Sequence, residues 1–88
     1  MSAAKVQVLY FASLREALQR ERETVELPPD VATAGALRRW LRGRGGAWAE
    51  ALADNRAVRV AVDHDLVGPD APLRDGAEVA FFPPVTGG

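Results

Sequence analysis

The sequence predicts an α+β domain, and three observations carry that expectation. Strand-like runs open and close the chain at residues 5–11 and 78–82, a longer amphipathic helix pattern lies between them, and Pro and Gly fall as punctuation between short periodic segments. At 88 residues the chain fits one domain with one core. The apolar fraction of 48% overstates that core, because 16 of those residues are alanine. Ten Val, nine Leu, three Phe, two Trp, one Tyr and one Met remain, enough for one modest interior.

In chain order, residues 5–11 place Val6, Val8 and Tyr10 on one face and Leu9 and Phe11 on the other, the pattern of a central strand covered on both sides. Ser13 and Glu16 have capping-box spacing, and Leu14 and Leu18 share one face of the short helix that would follow. Residues 23–27 alternate and are stopped by Pro28 and Pro29, which suits a strand at or near an edge. Thr33 is the expected N-cap of the main helix, with Leu37, Trp40 and Leu41 on its apolar stripe and Gly43, Gly45 and Gly46 beyond its end. Trp48, Ala49 and Leu52 suggest a short helical turn over a core edge. Val58, Val60 and Val62 alternate with Arg59 as the next strand; residues 63–65 form a tight polar turn, and Leu66 and Val67 a very short strand. Asp75-Gly76 is a strong turn signal ahead of the last strand, residues 78–82. About five strands in a mixed sheet crossed by one main helix is the β-grasp plan, the architecture of ubiquitin-like proteins. The expected division is a β-grasp domain over residues 1–82 and an extended tail over residues 83–88.

Several function classes are disfavoured by what the sequence lacks. With no cysteine and a single histidine, His64, it offers no disulfide framework, no thiolate nucleophile and little for a metal site, so no metal is expected. There is no GxxxxGK[ST] loop and no GxGxxG turn, so nucleotide binding is not expected of this chain. Without a signal-like segment or an apolar run near ~18 residues, a cytoplasmic protein with no membrane role is expected. Eleven basic and 12 acidic side chains give a net charge of −1, which argues against nucleic acid as the default partner. The densest basic stretch is Arg38, Arg39, Arg42 and Arg44; it reads as a solvated helix face, with a phosphate-tracking patch as the alternative.

The tail carries the functional argument. Pro83 and Pro84 remove two donors and end both helix and sheet ladders, so Pro83, Pro84, Val85, Thr86, Gly87 and Gly88 must leave the domain. Six residues extend about 20 Å, and two terminal glycines pass through a channel too narrow for a Cβ. Residues 8–16, Ala61-Val62, and the run from Pro72 through Asp75-Gly76 to Phe81-Phe82-Pro83-Pro84-Val85-Thr86-Gly87-Gly88 resemble the MoaD family, the small sulfur-carrier subunits of molybdopterin synthase. One departure is Asp63, where that family usually carries Asn first in the turn; Asp tolerates the same geometry.

The resemblance implies a carrier whose Gly88 carboxylate is adenylated by an E1-like enzyme using ATP and Mg²⁺. A persulfide donor then converts it to a thiocarboxylate. The loaded tail enters the active site of a MoaE-like large subunit, in a heterotetramer with two of each chain, and gives sulfur to cyclic pyranopterin monophosphate. The carrier itself is non-catalytic in this reading and binds no cofactor. The family pattern places Phe82, Phe11, Leu66 and Arg15 at the interface, although Phe11 and Leu66 read equally as core and Arg15 as a solvated helix residue. Other readings are a carrier for thiazole or tRNA thiolation, a ubiquitin-like protein modifier, and a nucleic-acid or regulatory module using the arginine-rich helix.

Overall fold

A computed structural model of the chain describes residues 4–84. In chain order the elements are β1 (Lys5–Tyr10), α1 (Ala12–Leu18), β2 (Arg22–Glu26), α2 (Ala34–Arg42), α3 (Gly46–Ala51), β3 (Arg59–Val62), β4 (Asp65–Val67) and β5 (Glu78–Phe82). The strands form one five-stranded sheet in the order β2-β1-β5-β3-β4. Only β1 and β5 run parallel; the other three pairs are antiparallel. This is the expected α+β arrangement, with β2 on an edge as Pro28 and Pro29 require.

Register explains the core. Val8 pairs with Val79 and Val79 with Val62, while Tyr10 pairs with Phe81 and Phe81 with Val60. Alternation sends these side chains to one face of the sheet, where Leu37 and Leu41 of α2, Leu14 and Leu18 of α1, and Leu52 cover them. Thr33 caps α2 as expected, its Oγ1 accepting from the Ala36 N–H at 3.1 Å. Asp75-Gly76 turns the chain into β5, with Gly76 at φ 85° and the Asp75 carboxylate accepting from the Lys5 N–H at 2.8 Å.

The start of α1 differs from expectation. Ser13 lies inside the helix and the cap position is Phe11, which has extended backbone and no side-chain cap bond. The cause is the sheet: the Phe11 N–H donates to the Phe81 carbonyl at 3.1 Å, so β1 stays paired to its end and the chain must turn at once. Ala12 makes that turn with φ 52°, and the Phe11 carbonyl accepts from Leu14 and Arg15 in the place where Ser13 was expected to organise the first turn. A second difference is that β1 is covered on one face only: Leu9 is half-buried and Phe11 is 46% exposed.

The arginine-rich stretch is engaged within the chain. Arg38 donates to the carbonyls of Leu52, Ala53 and Arg56, holding the segment after α3 against α2. Arg42 pairs with Asp54 at 2.7 Å. Arg44 forks onto both Glu23 oxygens at 2.8 Å and lies over the rings of Trp40 and Trp48, 5.2 and 4.4 Å from their centroids. Arg39 is exposed, so the phosphate-tracking alternative retains one cation free of such contacts among the described residues.

Candidate docking face and tail root

The sheet face opposite the helices is apolar at its centre. Leu9 pairs with Ala80, Ala80 with Ala61, and Ala61 with Leu66, so these four side chains form one row across four strands. Phe11 follows β1 and Phe82 ends β5, one step further towards the tail. Leu66 is 62% exposed and Phe82 half-buried. Alanines at the middle of the row, flanked by two phenylalanines, leave a depression where larger residues would fill the face. Phe11, Ala12, Ala61, His64, Ala80, Phe82, Pro83 and Pro84 line the resulting hollow, of about 630 Å³.

The turn beside this hollow is closely built. Val62 pairs with Asp65, leaving Asp63 and His64 as a two-residue connection with φ values of 49° and 73°, as a type I′ hairpin requires. Asp63 is tied to β5 twice: its N–H donates to the Glu78 carbonyl at 2.8 Å and its carboxylate accepts from the Glu78 N–H at 3.0 Å. The Glu78 carboxylate in turn meets His64 Nε2 at 2.5 Å. The His64 side chain is 86% exposed and is the one titratable side chain among the described lining residues.

Of the residues singled out from sequence, Phe82, Phe11, Pro83 and Pro84 come together around this hollow, and Leu66 lies on the same face across Ala61. The reading of Phe11 and Leu66 as core does not hold, since both are exposed. Arg15 is exposed on α1 and is not among the hollow's lining residues. Val85, Thr86, Gly87 and Gly88 lie outside the described residues. Sequence reasoning gave Ala61 and Ala80 no part in the site; the signal available was the pair of small residues at matching positions of two neighbouring strands.

Sheet order and a proline-marked exit from β5 beside an exposed apolar face define a small ubiquitin-like β-grasp protein. The chain belongs to the ThiS family, whose model matches residues 8–88. It is 45% identical over 83 residues to the molybdopterin synthase sulfur carrier subunit of Escherichia coli (strain K12), which covers 94% of this chain and 99% of that one. Among solved structures, a proposed molybdopterin converting factor subunit 1 from Pyrococcus furiosus matches with TM-score 0.77 and 29% identity, covering 94% of this chain and 100% of that chain. The complex of subunits 1 and 2 of molybdopterin-converting factor from Helicobacter pylori matches with TM-score 0.66 and 24% identity, covering 96% and 99%, and supports the fold. The resemblance to MoaD chains drawn from the tail and the Asp75-Gly76 turn is borne out.

Proposed function

We propose that this chain is a sulfur carrier for molybdenum-cofactor assembly, holding sulfur on the carboxyl carbon of Gly88. The observation that carries this is the E. coli sulfur carrier subunit, matched over nearly its whole length at 45% identity. The geometry agrees: β5 ends in the open face, and Pro83 and Pro84 lead the chain away from the ladder beside an apolar hollow. A carboxylate with pKa ~3.3–3.7 is ionised at neutral pH and is a poor electrophile, so it needs activation. In this reading an E1-like partner supplies ATP and Mg²⁺; the Gly88 carboxylate attacks the α-phosphorus and pyrophosphate leaves. A persulfide sulfur then displaces AMP from the acyl carbon, and cleavage of the remaining S–S bond by a thiol leaves the thiocarboxylate.

The acceptor step belongs to a MoaE-like large subunit docked on the Phe11, Leu66 and Phe82 face, with cyclic pyranopterin monophosphate as the sulfur acceptor. The name of the E. coli relative, a subunit of a synthase, supports a larger partner. Deleting Gly88, or extending the chain beyond it, should abolish sulfur transfer to the pterin precursor in the presence of the large subunit. The unfolding midpoint should not move, because every core residue among the described residues precedes Phe82. Full transfer activity in either variant contradicts the proposal.

A further inference from the structure

The charges of the open face are arranged symmetrically about its apolar row. Leu9, Ala80, Ala61 and Leu66 lie side by side across β1, β5, β3 and β4. On β3, Arg59 stands two residues before Ala61, opposite Phe82 at the proline end, and Asp63 stands two residues after Ala61, bonded to Glu78 at the other end. Strand alternation gives Arg59 the face of Ala61. Arg59 is exposed and pairs with no carboxylate among the described residues. Asp63 is exposed too; one of its carboxylate oxygens accepts from the Glu78 N–H, and the other has no hydrogen-bond partner among the described residues. A two-fold axis laid along the apolar row turns a second copy of the chain face to face with the first, its strands reversed. Leu66 then meets Leu66, and Ala61 and Ala80 at the centre let the two sheets approach closely. Arg59 of each copy comes opposite Asp63 of the other, so the symmetry makes two ion pairs. Arg22, beside Leu9 on the edge strand β2, would meet its own copy, and the twist of the sheet carries it out of the contact.

We propose that this face takes a second copy of the chain, in that two-fold reversed arrangement, whenever no other partner covers it. The area sets the strength. Three strand spacings of about 4.8 Å and four residue steps of about 3.3 Å make a patch of about 14 by 13 Å between backbone positions. Even with its side chains such a contact buries less than about 1,200 Å² in total, the range of weak and reversible association. The pair shields Leu66, Phe82 and Phe11 from water and separates readily when a tighter partner arrives. The pairing itself does not depend on the carrier reading; its competition with the large subunit for the same face does.

Sedimentation equilibrium of the 88-residue chain at low salt tests this. The average mass should rise reversibly from one chain towards two between about 10 μM and about 1 mM. Three variants at exposed positions locate the contact. Arg59→Gln and Asp63→Asn, the second keeping a residue that suits the turn, should each weaken pairing about two- to thirtyfold, since each removes two exposed ion pairs. Because both remove the same pairs, the double variant should weaken it by less than the product of the two single effects. Leu66→Asp sets two carboxylates together on the axis and should weaken pairing at least about tenfold. A chain that stays single at about 1 mM overturns the proposal and leaves the face to the large subunit alone. A pair that Leu66→Asp does not weaken, or in which the Arg59 and Asp63 effects multiply, overturns it as well. No readout involves sulfur, so a chain that stays single yet becomes thiocarboxylated removes the pairing and leaves the carrier, and a chain that pairs without thiocarboxylation removes the carrier and leaves the pairing.

Discussion

At Glu23 a single carboxylate joins β1, β2 and the loop after α2. It accepts from the Tyr10 hydroxyl at 2.7 Å, from both Arg44 nitrogens at 2.8 Å and from Arg20 at 3.1 Å, with its side chain only 12% exposed. Burial pushes its pKa up, but the Arg44 bonds, the Tyr10 bond and the two guanidinium charges outweigh burial and hold the carboxyl below its ordinary range. Tyr10 is driven the other way, first by burial and then by its bond to Glu23, and stays protonated as the donor. Because the folded pKa of Glu23 is depressed, its stabilisation is fully present above the unfolded value, about 4.3, and is lost as pH falls through the folded value. Glu23→Gln should therefore cost about 1–3 kcal/mol at pH 7. Urea denaturation checks this, and the gap between variant and parent should narrow as the pH drops below about 4. A gap independent of pH would contradict the assignment.

Element-scale behaviour separates what was legible in the sequence from what was not. Thr33 was legible as a cap because its partner is three residues away, and Thr33→Ala should cost about 1 kcal/mol in urea denaturation. Ser13→Ala should change stability by less than about 0.5 kcal/mol, since Ser13 is an exposed residue inside α1. The capping-box spacing misled because a tertiary bond, Phe11 to Phe81, fixes where β1 ends, and no local pattern encodes a partner 70 residues away. The same reason hid the open side of β1: Leu9 and Phe11 show an apolar second face, but only strand order and helix placement decide whether anything covers it. The Asp63-His64 and Asp75-Gly76 turns were legible because left-handed backbone restricts residue choice locally. The hollow was not, because it arises where Ala61 and Ala80 meet across strands. Arg44 and Glu23, 21 residues apart, joined for an equally non-local reason.

On the scale of the whole molecule, the two sheet faces differ in what covers them. One buries Val8, Tyr10, Val79 and Phe81 under the helices and holds the fold together. The other leaves Phe11 and Phe82 beside Pro83 and Pro84, with Leu66 exposed on the same face across Ala61, apolar area that the core does not use. Phe82→Glu and Leu66→Asp should therefore weaken binding of a MoaE-like large subunit by at least about 2 kcal/mol each, read by calorimetry, while urea midpoints stay close to that of the parent. Unchanged affinity would move the docking surface elsewhere on the chain. A nucleic-acid role is tested by the same titration across salt concentrations: apolar docking should weaken little, whereas phosphate contacts would weaken steeply.

The carrier assignment is tested most directly by the intact mass of the chain after incubation with an E1-like activating enzyme, ATP, Mg²⁺ and a persulfide donor. The expected product is heavier by the exchange of one oxygen for one sulfur, localised to Gly88 by fragmentation and absent when ATP is omitted. An unmodified mass under conditions that load the E. coli sulfur carrier subunit, or sulfur found anywhere but the terminal carboxyl, would contradict it.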